Sequence, residues 1–280
     1  MIEAVGQWRR QSVRRNCRVL GFRRQTYHHR RQGYRPEERD LELQDLLERT
    51  ARRFVAWGFW MIFYFLRNQG YAFNHKRVYR VWTEAGLHLR LPPKRPRIRR
   101  EYRELLPPDG INEGWAMDFL SDWVVGPQHQ PVRIVNVMDE GSRKALWTPQ
   151  AHTSISSRKL IEVLDNLMEV RGCPAYIRCD NGPEFVSHHL RQWAEDRAVE
   201  LRYIQPGKPS QNGLIERLNK TLRVECLNQH WFASLEALNE QIQDWSVVYN
   251  YDRPHKNLGY QTPEAYEKAN ENFYFRTVAA

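Results

Sequence analysis

Cys179-Asp180-Asn181-Gly182-Pro183-Glu184-Phe185 opens the stretch that decides this fold, and Gln211-Asn212-Gly213-Leu214-Ile215-Glu216-Arg217 closes it. Between them run an amphipathic segment and a short strand, so that Asp180 and Glu216 flank a compact unit with 35 residues between them. Working outward toward the amino terminus, a third acid, Asp118, lies in Trp115-Ala116-Met117-Asp118-Phe119-Leu120, where apolar and aromatic neighbours predict a buried strand. A carboxylate in such a strand costs several kcal/mol unless it is paired or bound to a cation. Asp118 has no evident partner in its own strand. Three acids of this kind, brought together, make a site for a divalent metal, because Mg²⁺ prefers a few carboxylate oxygens along with waters and phosphates. Two such ions about 3.5 to 4 Å apart serve in-line phosphoryl displacement, the chemistry of nucleic-acid strands.

The pattern around the acids predicts an α/β layer. Trp115 to Val125, Val132 to Asp139 and Ala145 to Ala151 read as three strands of a meander, separated by Gly and Pro. Ser156 to Val170 carries Leu160, Val163, Leu164 and Leu167 on one helical stripe and stops at Gly172. A strand at Ala175 to Cys179 then runs into Asp180, a helix covers Ser187 to Ala198, and a last strand covers Leu201 to Ile204. The order β-β-β-α-β-α-β-α is that of a ribonuclease-H-like mixed sheet with helices on its faces. Asp180-Asn181-Gly182 taken alone is a common turn, but it follows a buried strand, where a strand's carboxyl end meets a cleft. Pro206-Gly207-Lys208-Pro209-Ser210 lacks the P-loop pattern and reads as a mobile loop beside the site. On the helix that follows, Glu216, Lys220 and Arg223 share one face and Ile215, Leu218 and Leu222 the other. An exposed Glu216–Lys220 ion pair is the bland alternative, which Asp118 and Asp180 make the weaker one.

Upstream, the chain is basic. It has 43 Lys and Arg against 33 Asp and Glu, a net charge of +10 and a pI near 9.6, the footprint of a phosphate-backbone binder. Residues 1–39 form an arm rich in Arg and free of Lys, compatible with a helix-turn-helix or with a solvated arm that orders on DNA. Residues 40–90 predict three helices: one with Leu41, Leu43, Leu46 and Leu47 as its stripe, one at Val55 to Leu66, and one at His75 to Ala85 capped by Asn74 and stopped by Gly86. Lys76, Arg77 and Arg80 on the third helix read as DNA contacts, or as the solvated face of an ordinary bundle. Residues 91–110 form a Pro-rich basic linker, 111–270 the catalytic core and 271–280 a tail.

The four cysteines make no Cys-x-x-Cys pair and read as reduced core thiols, not as a disulfide or zinc framework. The most apolar run, Val55 to Leu66, is too short for the roughly 20 residues of a membrane span, and the start lacks a signal peptide's pattern. The expected compartment is the cytoplasm.

Asp118, Asp180 in Cys-Asp-Asn-Gly-Pro-Glu-Phe and Glu216 in Gln-Asn-Gly-Leu-Ile-Glu-Arg resemble the DDE core of retroviral integrases and, more closely, that of orfB-type transposases of bacterial insertion sequences. The tail Tyr249-Asn250-Tyr251-Asp252-Arg253-Pro254-His255 with Leu258-Gly259 and Thr262-Pro263, and Asn74-His75-Lys76-Arg77-Val78-Tyr79-Arg80 before the core, resemble that family too. The resemblance implies a transposase that nicks the element's ends and joins the freed 3′-hydroxyl to DNA. Asp118, Asp180 and Glu216 would hold two Mg²⁺, with Mn²⁺ as a substitute. Arg223 and Lys220 would contact DNA near the scissile phosphate, and Asn181, Gly182 and Asn212 would shape the site. DNA ends and target, a homo-oligomer in a synaptic complex and, in this family, an upstream frameshift-fusion partner are the implied partners, in the bacterial cytosol beside the nucleoid. Two departures stand out. Val55 to Leu66 is more aromatic and less charged than the family's usual pattern, and no His/His/Cys/Cys zinc domain precedes the core. A ribonuclease-H-like nuclease without strand transfer, or a DNA-binding regulator, would share some of these features.

Overall fold

A computed structural model describes residues 14, 17–18, 38–89, 110–125, 129–146, 151–205 and 209–274. Most of the basic arm, nearly all of the linker, the Pro206–Lys208 part of the expected loop and the last six residues lie outside them.

The core is a five-stranded mixed sheet in the order β3-β2-β1-β4-β5. β1 (Gly114–Val124) pairs antiparallel with β2 (Gln130–Asp139), β2 pairs antiparallel with β3 (Ala151–His152), and β4 (Tyr176–Cys179) lies parallel between β1 and β5 (Glu200–Tyr203). Alternation along β1 decides which residue meets which layer. Ala116, Leu120 and Val124 turn to the face covered by α6 (Gly213–Glu225) and α7 (Leu235–Val247), joined there by Ile134 and Met138 of β2. Trp115 and Met117 turn to the opposite face, under α4 (Ser157–Arg171) and α5 (His188–Asp196). This is the ribonuclease-H-like layering expected, with each element in its expected order.

Local signals explain the helix ends. Ser156 and Ser187 cap α4 and α5 by accepting from Lys159 N and Leu190 N, and α4 stops at Gly172, whose φ of 82° suits a residue without Cβ. Gly114 answers a tighter demand, since a Cβ there would fall 2.1 Å from the Tyr176 ring. Of the expected Ala145–Ala151 strand, Ala145 bridges Met138 and Ala151–His152 pair with β2, while residues 147–150 lie outside the described residues.

α1 (Glu38–Arg53), α2 (Phe59–Asn68) and α3 (His75–Glu84) build a separate aromatic-rich core around Leu47, Trp57, Ile62, Phe63 and Trp82. Leu41 is not in it, being 52% exposed. α2 starts four residues later than expected: Phe54 stacks on Trp57 at 3.9 Å in the turn before Gly58, so Val55 stays outside the helix. Asn74 does cap α3, accepting from Lys76 N at 2.9 Å.

The bundle meets the core through the core's closing segment. α7 unwinds into a π-helical turn, Val248–Asp252, and Tyr260 follows in a left-handed conformation with φ of 66°. Tyr64 of α2 stacks on Tyr260 at 3.7 Å, Asn68 donates to its carbonyl at 3.2 Å, and Arg53 lies 3.6 Å from Asp252. The conspicuous tail residues work mainly inside the protein. Asn250 pairs with both backbone groups of Ala145, and Arg253 binds Glu225 at 3.0 Å. His255 packs on Tyr249, where burial first and Arg253 second pull its pKa down to about 3, so the ring is neutral. Thr262 caps α8 (Pro263–Ala269).

No described helix is long and apolar enough to cross a membrane. All four cysteines are free; Cys17, Cys179 and Cys226 are buried and Cys173 is half-buried.

Candidate active site

Strand register brings the first two acids together. β1 and β4 run parallel with Ala116 opposite Arg178, so two residues further along Asp118 comes level with Asp180, just past the end of β4. Neighbouring strands lie about 4.8 Å apart. By alternation Asp118 belongs to the Ala116–Leu120 face of β1, the face on which α6 lies, and Glu216 stands on the first turn of α6. The three carboxylates meet at Asp118, whose pKa is raised to about 6, first by burial, then by the charges of Asp180 and Glu216, against the pull of the Phe119 N–H and the Asn219 amide. Cys179 records the same field. Its thiol is pushed up to about 12 by burial and by Asp180 and Asp118.

The loop after β4 is anchored on three sides. Asp180 Oδ1 accepts from Gly182 N at 2.9 Å, Asn181 donates to the Ile204 carbonyl at 2.9 Å, and the buried Phe185 stacks on Phe119 at 4.8 Å. Glu184 bonds Arg133 of β2, whose guanidinium lies 4.1 Å from the Phe119 ring. A Cβ on Gly182 would sit 3.0 Å from Asp180 Oδ1, tight enough to disturb the carboxylate.

Among the other expected residues the structure is selective. Lys220 is exposed, and Glu216 makes no ion pair with it among the described residues. Arg223 lies against β1, donating to the Ser121 carbonyl at 2.6 Å with Asp122 at 3.7 Å. Asn212 is only 3% exposed and its Oδ1 has no partner among the described residues. Arg77 and Arg80 both bind Asp40 of α1 at 2.8 Å, and Asp40 is 1% exposed. Those two guanidiniums hold α3 to α1. Lys76 is exposed.

Sequence reasoning missed Asn219. Its Nδ2 donates to Asp118 Oδ2 at 2.8 Å and its Oδ1 accepts from Asn136 of β2 at 2.6 Å. The signal was available: Asn219 interrupts the buried stripe Ile215, Leu218, Leu222, and Asn136 interrupts the apolar run Ile134 to Met138.

Among the described residues no three Asp, Glu, His or Cys side chains form a group that holds a metal as they stand. The donor set nevertheless suits a hard divalent cation. It is all oxygen, it has no basic partner among the described residues, and Asp180 and Glu216 add to the cost of charging Asp118, which a cation would relieve.

Two integrase core domain models match this chain, over residues 108–209 and 197–263. The insertion element IS407 uncharacterized 31.7 kDa protein of Burkholderia multivorans is 35% identical over 255 residues, covering 91% of this chain and 90% of that one. The chain belongs to the insertion-element transposases with an integrase core. Within this family, the putative transposase InsD for insertion element IS2E of Escherichia coli is 24% identical, covering 70% of this chain and 91% of InsD. Among solved structures, the HTLV-2 integrase catalytic core domain in complex with magnesium is 18% identical with a TM-score of 0.43, covering 62% of this chain and all of that one. The three carboxylates fall inside the matched integrase-core spans, Asp118 and Asp180 in the first and Glu216 in the second.

Proposed function

We propose that this transposase cuts the ends of an insertion sequence and joins the freed 3′-hydroxyl to target DNA, with Asp118, Asp180 and Glu216 holding Mg²⁺. The observation that carries this reading is the charge burden on Asp118, a half-buried acid whose pKa burial and the neighbouring Asp180 and Glu216 raise to about 6, with no cation of the protein's own beside it among the described residues. Bound there, Mg²⁺ would stabilise charge on the phosphoryl oxygens and activate the attacking oxygen. The protein's own groups do the rest. Phe119 N and Asn219 Nδ2 fix the two oxygens of Asp118, the Gly182 turn fixes Asp180, and the rigid α6 fixes Glu216. Lys220 and Arg223, on the same side of α6 as Glu216, would neutralise backbone phosphates on either side of the scissile one. In each step the oxygen of a water or of a 3′-hydroxyl loses its proton to solvent as it bonds to phosphorus, the opposite P–O bond breaks, and the departing oxygen takes a proton from solvent.

In the bundle, Lys76 is the candidate DNA contact and Arg77 and Arg80 are its scaffold. Two DNA ends held together would require a homo-oligomer, and an upstream fusion partner would supply end recognition.

The test joins labelled precut linear DNA, carrying the genomic flanking ends, to a supercoiled target in Mg²⁺, in Mn²⁺ or in EDTA, with Asp180→Asn beside the parent chain. Joined products that need metal and Asp180 support strand transfer. Cleavage without joining would move the reading to a nuclease, and binding without chemistry to a regulator or to a chain that needs its upstream partner.

A further inference from the structure

Asn136 is badly placed for a residue that only stabilises the fold. It is fully buried on β2 between Ile134 and Met138, on the face that α6 covers, where an aliphatic side chain would pack without polar cost. Its Oδ1 finds no hydrogen-bond donor among the described residues. A buried carbonyl oxygen without a donor costs about 1 to 3 kcal/mol. What the side chain does is donate Nδ2 to Asn219 Oδ1 at 2.6 Å, while Asn219 Nδ2 donates to Asp118 Oδ2 at 2.8 Å.

The direction of this chain is forced from the acid's end. An ionised carboxylate can only accept, so Asn219 must turn its NH₂ toward Asp118 and its carbonyl toward β2. There the carbonyl accepts from Asn136 Nδ2 at 2.6 Å. An amide has two nearly isosteric orientations, and the wrong one would set the Asn219 oxygen against the Asp118 oxygen. The register makes Asn136 the one β2 residue directly opposite Asp118, so one cross-strand pair spans both ends of the relay.

The geometry points to Asn136 as a positioning residue that locks the Asn219 amide in the one orientation that can hold Asp118 for a divalent cation. It touches neither substrate nor metal and acts through Asn219. The inference rests on the reading of Asp118 as a metal-binding acid, and its test separates the two.

The probe is Mn²⁺ alone, followed by the electron paramagnetic resonance of the free ion, with thermal denaturation in EDTA measured beside it. The parent chain should bind Mn²⁺ and Asp118→Asn should lose it. Asn136→Val should weaken Mn²⁺ binding about tenfold or more, the range usual for outer-shell partners, while the EDTA melting midpoint stays level or rises. Asn136→Ser, too short to reach Asn219 and adding no volume, should lose the same factor. Asn219→Ala should lose at least as much, and Asn136→Val combined with Asn219→Ala should lose no more than Asn219→Ala alone, since one relay is already broken. Parent-like Mn²⁺ affinity in Asn136→Val or Asn136→Ser would overturn the inference. So would losses that add in full in the double variant, or that simply follow a lowered midpoint. If the parent and Asp118→Asn bind Mn²⁺ alike, the underlying reading of Asp118 falls and this inference with it.

Discussion

At the Gly114 end of β1, buried acid is matched by buried base. Glu140 accepts from Arg178 at 2.7 Å and from the Tyr176 hydroxyl at 2.7 Å, and Glu267 takes Arg171 at 2.6 Å and Lys144 at 2.8 Å. Burial works against the charges of Arg171 and Lys144, yet their carboxylates overcome it and raise both pKa values, while Glu267 is held below the usual carboxylate range. Four residues along the same strand the arrangement reverses. Asp118 faces Asp180 and Glu216, and its carboxyl is pushed up instead of down. The first cluster is internally neutralised and closes the end of the sheet. The second has no basic partner among the described residues.

The widest separation between the two regions should appear in catalysis. Asp118→Asn, Asp180→Asn and Glu216→Gln should each drop strand transfer to background with DNA binding largely kept, read by joining assays beside mobility shifts. Equal loss of both would erase the distinction between metal-holding acids and phosphate-holding bases.

The paired end should fail in the other currency. Arg178→Met leaves Glu140 buried without its partner and should cost about 3 to 5 kcal/mol, read by chemical denaturation; a change under about 1 kcal/mol would mean that Glu140 is not relying on that pair.

Asp118 predicts a stability effect of opposite sign. Its folded pKa of about 6 lies above the unfolded value of 3.8, so without metal the ionised acid opposes folding above pH 6, and the penalty fades as pH falls toward 4. Asp118→Asn in EDTA should therefore be more stable than the parent at neutral pH, by up to about 3 kcal/mol, with the gap gone near pH 4. A variant that is less stable at pH 7 would mean the site is not charge-burdened.

Smaller effects concern the DNA surface. Log affinity should fall with log salt by about 0.9 per phosphate contact on duplex DNA, and a flat response would dismiss the basic surface. Lys76→Ala should weaken end binding by a few-fold without slowing joining of precut ends, whereas Arg80→Ala should mainly lower the melting midpoint. The reverse pattern for these two would make Arg80 the DNA contact.

The order of strands and helices was legible because it is written in local periods. Alternation marks β1 and β2, and the Leu160–Leu167 stripe marks α4. The convergence of the three acids was legible for a related reason, since a carboxylate in an apolar strand, or at the strand's exit, has few structural explanations. What escaped depends on partners far away in sequence. Arg77 and Arg80 look like a solvent-facing basic row until Asp40, nearly forty residues earlier, lies beneath them. Asn219 gains its meaning from Asn136 and Asp118, on two different strands. The tail residues Asn250 and Arg253 read as a family signature, yet their side chains staple α7's continuation to Ala145 and to Glu225.

The β1–β4 register also acts as a parity rule for this gene. Adding one codon between Gly114 and Asp118 would leave a passable strand but turn the acid through the sheet toward α4 and α5, away from Glu216. Adding two would restore the face and carry the acid about 7 Å past Asp180. Small insertions and deletions should therefore be absent from this short segment of any active relative, while the hairpin between Val124 and Gln130, which joins two strands beyond the acids, is free to vary in length.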